Sequence, residues 1–208
     1  MIDFVLSTLG ILVLLPVYLI LSIAIYIDDP GPVFFTQRRV GIKKKGQLTY
    51  FDIYKFRTMK VSTPRDVPTH LLENPAQYIT KVGRIMRLAS LDELPQIFNI
   101  WLGQMSIVGP RPALYNQEDL ISQREELGAN DVVPGLTGWA QINGRDELDI
   151  EEKSAYDGEY AKVMKSGGFK AFCMDIKCFM CTFLAVICAE GVSKEEKNKD
   201  KNDDEIVV

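Results

Sequence analysis

The sequence predicts a mixed α/β, helix-rich, membrane-associated domain that opens on an apolar helix and carries a short β-hairpin. Three observations point there. Residues 4–27 contain no charge, are interrupted by Pro16, and are followed by a strongly basic stretch. Two segments rich in β-branched and aromatic residues, 33–37 and 48–56, flank a basic, glycine-bounded turn at 41–46. Helical patterns dominate the remainder. At 208 residues the chain suffices for one ordinary domain with appendages, and its 47% apolar and 25% charged residues exclude wholesale disorder.

The apolar run is long enough to cross a bilayer core as a helix, and it lacks the basic leader of a signal peptide. Pro16 removes one hydrogen bond from its middle. Two topologies stay open: a kinked span, or a helix-break-helix that returns to the face it entered, since 4–15 and 17–27 are each too short to span. The sequence Asp28-Asp29-Pro30-Gly31-Pro32 ends the helix. Beyond it Arg38, Arg39, Lys43, Lys44, Lys45, Lys55, Arg57 and Lys60 face the single acid Asp52, a balance that belongs on a cytoplasmic membrane face. Lys55 and Arg57 alternate onto one strand face, where either lipid headgroups or a substrate would be held.

Residues 61–69 contain Pro64 and Pro68 and read as an irregular loop. His70 is the only histidine, which excludes a histidine-rich metal site, and it reads as a surface residue. Residues 80–89 read as a helix with Val82, Ile85, Met86 and Ala89 on an apolar stripe and with Arg84 and Arg87 neighbouring, a pairing suited to phosphate. Next come two adjacent carboxylates, Asp92 and Glu93. Ser90-Leu91-Asp92-Glu93 fits a capping box, but Pro95 favours Asp92 as the cap of a helix that buries Leu94, Ile97, Phe98 and Trp101. A carboxylate there could bind a divalent metal, attack phosphorus, or merely cap the helix.

Arg111 sits between two prolines in Gly109-Pro110-Arg111-Pro112, a stiff mount for a guanidinium. Residues 134–145 combine three glycines, Trp139 and a terminal Arg145, which would suit a nucleotide or a plain glycine-punctuated hairpin. Residues 149–165 read as a charged helix, and 169–189 as an amphipathic helix at a membrane interface. The four cysteines fall in that last segment as buried thiols, because the one CxxC lacks the partners of a zinc site. The chain from Ser193 onward reads as disordered.

These segments, in this order, resemble the small bacterial sugar transferases, the monotopic polyprenol-phosphate phosphoglycosyl transferases. The matching motifs are the proline-interrupted N-terminal run, Lys55-Phe56-Arg57-Thr58-Met59, the acid pair with its flanks, Gly109-Pro110-Arg111-Pro112, and 134–145. The resemblance implies transfer of sugar 1-phosphate from a UDP-sugar to polyprenol phosphate with release of UMP. It makes Asp92 the nucleophile of a covalent phosphosugar intermediate, and Glu93 the second acid, for metal coordination or proton handling. It places Mg2+ at the pair and phosphate contacts at Arg57, Arg87, Arg111 and Arg145. It also makes Pro16 the break of a re-entrant helix with both ends cytoplasmic.

The division that follows is 1–29 as re-entrant membrane helix, 30–190 as cytosolic catalytic domain with interfacial helices, and 191–208 as tail. The expected location is the cytosolic face of the bacterial inner membrane, in the first membrane step of a surface-glycan or glycoprotein pathway. Expected partners are the two substrates, membrane lipids, and a second copy or downstream glycosyltransferases, with no nucleic acid. One departure touches sugar or lipid preference: the family often has Asn and Ser ahead of the next Asp, and residues 163–172 read differently here, although Asp157 and Asp175 fit. Two readings of other classes compete, a membrane-anchored protein that only binds anionic lipid and a metal-dependent phosphohydrolase.

Overall fold

A computed structural model describes residues 2–63, 75–144 and 147–187. The expectations for His70, Arg145, Cys188 and the tail fall outside the described residues, as does the loop beyond residue 63.

Helix α1 (Ile2–Asp28) continues on both sides of Pro16. A proline in mid-helix removes one donor and bends the axis without having to end the helix. With 27 residues at ~1.5 Å each, α1 is about 40 Å long. It is long and apolar enough to cross a membrane, yet it lies along the rest of the chain and is bonded to it at both ends. Near its start, Asp3 accepts from Ser106 Oγ at 2.8 Å and from the Ile107 N–H at 3.4 Å. Midway, Tyr18 Oη donates to the Leu94 carbonyl at 2.9 Å. At its end, Asp28 accepts from the Val82 N–H at 2.8 Å. Tyr18 and Ile25 share a core with Phe56 and Met86, while Leu12, Val13, Leu19, Ile20, Ile23 and Ile27 face outward.

Strands β1 (Phe34–Lys44) and β2 (Gln47–Phe56) form an antiparallel hairpin. The first strand runs further than the expected 33–37. A register shift between Val40 and Lys43 lets it continue to a turn at Lys45 and Gly46, both with positive φ (51° and 78°), the geometry of tight hairpins. In this register Phe35, Gln37 and Arg39 pair with Lys55, Ile53 and Phe51, so Arg39 and Lys55 share the inner face with buried Phe51 and Ile53.

Helix α2 (Lys81–Leu88) is capped by Thr80, whose hydroxyl accepts from the Gly83 N–H. The expected stripe is rotated: Met86 is buried, whereas Ile85 is 66% exposed. Gly83 is the reason, because a Cβ there would lie 2.2 Å from the Thr58 carbonyl oxygen, so the helix docks on its glycine side. Helix α3 (Gln96–Trp101) is pinned to the hairpin by the fully buried Asn99, which accepts from the Tyr54 N–H and donates to the Asp52 carbonyl.

The C-terminal half adds β3 (Ser106–Val108) and β4 (Gly135–Thr137), a parallel pair, with α4 (Glu118–Glu126), α5 (Trp139–Ile142), α6 (Ile150–Ser166) and α7 (Gly168–Ile187) around them. The glycines of 134–145 work here as close-approach residues. A Cβ on Gly135 would lie 2.1 Å from Gly109 N, and one on Gly138 2.2 Å from Gly109 O. One face of the Trp139 ring is taken by Lys177, whose Nζ lies 4.7 Å from the ring centroid. On α7, Cys178 is buried but Cys173 and Cys181 are exposed, because the inward face of the helix is narrow. Its outward row, Phe169, Phe172, Ile176, Phe179 and Phe183, is exposed.

Candidate active site

The acid pair does not cap α3 as the spacing suggested. Pro95 has no N–H to donate, so the chain ahead of it closes with tighter bonds, Glu93 N to Ser90 O and Leu94 N to Leu91 O, each at 3.3 Å. Leu91–Glu93 is therefore a 3-10 turn, and α3 begins only after Pro95. The turn is entered through Ser90, held in the left-handed region at φ 53°, whose side chain makes no capping bond. The capping-box alternative fails too, because the Glu93 carboxylate turns away from Ser90 towards two cations.

Those cations come from different parts of the chain. Lys55 Nζ at the end of β2 bonds Glu93 Oε1 at 2.7 Å, and Arg111 bonds the same oxygen at 2.6 Å. Burial raises the Glu93 pKa, but Arg111 and Lys55 outweigh it and hold the carboxyl at about 2. Asp92, one residue earlier, goes the other way. Burial and the Glu93 charge raise its pKa above the ordinary value, against the pull of Lys55 and Arg87. A helix N-terminus would have lowered it; without the cap, desolvation wins.

The expected phosphate ligands separate. Arg111 and Arg87 reach the acid pair: Arg111 through Glu93, and Arg87 through its charge on Asp92, with its Nε donating to Thr58 Oγ1 at 2.9 Å. Arg57 is buried and engaged elsewhere. It pairs with the Asp29 carboxylate and donates Nε to the Pro32 carbonyl at 2.6 Å, bracing the turn after α1. Arg145 lies outside the described residues. Two further cations belong to the cluster. Lys55 was legible as part of a basic patch. Arg39 was not singled out; the register between β1 and β2 places it on Lys55's face. Burial and the Arg111 charge bring the Arg39 pKa down to about 10, with Glu93 opposing, so it remains cationic.

Among the described residues no group of three or more His, Cys, Asp or Glu side chains could hold a metal alone. The acid pair still fits Mg2+, which takes one or two carboxylates and fills its shell with substrate phosphates and water. Asp92 is the better placed of the two, because Lys55 and Arg111 already share Glu93 Oε1.

The model of the family described as "Bacterial sugar transferase" matches residues 1–189. The chain belongs to the bacterial sugar transferase family. Among its relatives is the UDP-glucose:undecaprenyl-phosphate glucose-1-phosphate transferase of Escherichia coli (strain K12), 41% identical over 167 residues, covering 77% of this chain and 35% of that protein. The "Uncharacterized sugar transferase EpsL" of Bacillus subtilis (strain 168) is 38% identical over 164 residues, covering 79% of this chain and 74% of that protein. A UDP-N-acetylgalactosamine-undecaprenyl-phosphate N-acetylgalactosaminephosphotransferase of Aeromonas hydrophila is 33% identical over 168 residues, covering 77% and 38% respectively. The chain thus spans about a third of the length of the Escherichia coli relative.

Proposed function

We propose that this chain moves sugar 1-phosphate from a UDP-sugar to a polyprenol phosphate such as undecaprenyl phosphate, with Asp92 as the covalent nucleophile. The supporting observation is the unequal treatment of two adjacent carboxylates inside one cluster of cations. Glu93 is locked by Lys55 and Arg111 and stays ionised, so it acts as an electrostatic anchor rather than a proton carrier. Asp92 has the raised pKa of a carboxylate surrounded more by burial than by donors, the more basic and more reactive of the two. Arg39, Lys55, Arg87 and Arg111 outnumber the two acids, as an anionic diphosphate requires.

In the first half-reaction an Asp92 oxygen attacks the sugar-bearing phosphorus. A carboxyl-phosphate bond forms, the phosphoanhydride bond breaks, and UMP leaves with its electron pair. In the second, an oxygen of polyprenol phosphate attacks the same phosphorus, and the Asp92 carboxylate is released. Arg111 and Lys55 neutralise charge on the phosphoryl oxygens in both steps. When bound, Mg2+ would supply further charge neutralisation on the diphosphate, held by Asp92 and Glu93.

The test is intact-mass measurement after incubation with UDP-sugars and Mg2+. The expected result is a phosphosugar adduct and UMP release, both lost in Asp92→Asn. UMP release with sugar phosphate set free and no adduct would make the chain a hydrolase.

The proposal extends to topology. α1 is bonded to one body at Asp3 and at Asp28, so a straight span would tear one end away. We therefore place both ends on the cytosolic face, with Pro16 at the bend and the outward row of α7 at the lipid interface. With the native cysteines replaced by Ser, a cysteine at position 2 should react with an impermeant reagent only from the cytosolic side. Reaction only from the opposite side would establish a span.

A further inference from the structure

We infer that Arg124, aligned by Asp157, is a positioning residue for this transfer: it fixes the backbone carbonyl of Arg111 and thereby aims the Arg111 guanidinium. The inference rests on the reaction proposed above. Residues 109–113 form no regular structure, yet four successive carbonyls each accept a hydrogen bond. Pro110 O accepts from Gly135 N at 2.9 Å and Ala113 O from Val40 N at 2.9 Å. Arg111 O accepts from an Arg124 guanidinium nitrogen at 2.9 Å, and Pro112 O from Arg39 at 3.1 Å. The loop is therefore mounted as firmly as a strand, and Arg111 is its only charged side chain.

Arg124 on α4 is buried against Asp157 on α6, which is 1% exposed. Its Nε donates to Asp157 Oδ2 at 2.9 Å, and a second nitrogen bonds the same oxygen. A buried ion pair is a poor device for stability, because desolvation offsets the attraction and an apolar pair often does as well. What the pair provides that an apolar pair cannot is a further N–H held in a fixed direction, and the Nη1 donor goes to Arg111 O. Arg39 grips the next carbonyl, but its own charge reaches Glu93, so removing it would mix two effects. Arg124 is the cleaner probe.

The experiment is a double-mutant cycle on UMP release. Arg124→Met with Asp157→Leu removes both charges and leaves neither ion buried alone. This variant should keep a near-native thermal midpoint and lose about 10- to 100-fold in kcat/KM, the scale of a catalytic group displaced by ~1 Å. Adding it to Arg111→Ala should cost little more than Arg111→Ala alone, because both act through one guanidinium. Arg124→Lys, which keeps a charge and a donor, should recover part of the loss. Should the paired replacement fail to fold, Asp157→Asn takes its place in the same cycle, with a smaller loss that again does not add to Arg111→Ala. Losses that multiply, or an unchanged kcat/KM, overturn the inference while leaving the transferase reading intact. A wild-type chain that releases no UMP from any UDP-sugar overturns both.

Discussion

Between Ala89 and Pro95 the acid pair hangs on a 3-10 turn closed by two 3.3 Å bonds and entered through a left-handed serine, whereas residues 109–113, facing it, have four successive carbonyls bonded. The loop that carries Arg111 is thus tied to other elements at each of these carbonyls, whereas the turn that carries Asp92 is tied to one only at its end, where Tyr18 Oη donates to the Leu94 carbonyl. The division suits the proposed reaction, in which one carboxylate attacks a phosphorus and later leaves it. Charge stabilisation works best when preorganised, while the attacking group needs small freedom. Glu93 belongs to the tied side through its partners, although it is adjacent to Asp92 in sequence.

Exchanging the two acids for amides tests that division most severely. Asp92→Asn should remove the adduct and lower UMP release by at least ~10⁴-fold, as loss of a covalent nucleophile does. Glu93→Gln should cost nearer ~10²-fold, the scale of one lost electrostatic contact, and the adduct should still form. Equal losses in the two variants, with no adduct in either, would mean that the acids act as a single unit.

Lowering the pH sharpens the same contrast. In the proposed mechanism Asp92 must be ionised to attack, and its pKa lies above the usual 3.8, so single-turnover adduct formation should fall at a pH higher than an ordinary aspartate would give. Glu93 has a folded pKa of about 2 against 4.5 unperturbed, so it contributes stability above pH 4.5 that is lost as the pH falls towards 2. Asp92 has the opposite sign: its raised pKa weighs against folding at neutral pH, a penalty relieved as it protonates. Urea titrations between neutral pH and pH 3 should therefore show Glu93→Gln losing less stability with acid than the wild type, and Asp92→Asn losing more.

Much of this was legible in the residues because it is local. The uncharged run announced α1, the aromatic segments the hairpin, and Asp92-Glu93 with Arg111 three members of the charged cluster. What escaped depends on long-range contacts. The β3–β4 pair is three residues on each strand, and glycines beside it let distant backbones approach closely. The family resemblance made Arg57 a phosphate contact, but Asp29 claims it across the fold. Arg39 was one basic residue among many until the register put it on the inner face with Lys55. The cap at Asp92 failed for a local reason that spacing leaves out: a proline can start a helix and still force the turn ahead of it into 3-10 geometry.

The smallest effect concerns Ser90, and it probes the turn that carries Asp92 directly. A non-glycine residue in the left-handed region costs ~1 kcal/mol, and the Ser90 side chain makes no capping bond in return. Ser90→Gly removes that strain but adds roughly 0.5–1 kcal/mol of backbone entropy to the unfolded chain, so net stability should change by less than about 0.5 kcal/mol. Ser90→Ala keeps the strain and loses only the hydroxyl, so its stability should also lie within about 0.5 kcal/mol of the wild type. The variants should part in single-turnover adduct formation. Glycine lets the turn that presents Asp92 sample more conformations and should slow the step a few-fold, while alanine leaves the rate unchanged. A slow alanine variant would instead assign the hydroxyl a role in the reaction, and the left-handed backbone would then be incidental to how Asp92 is presented.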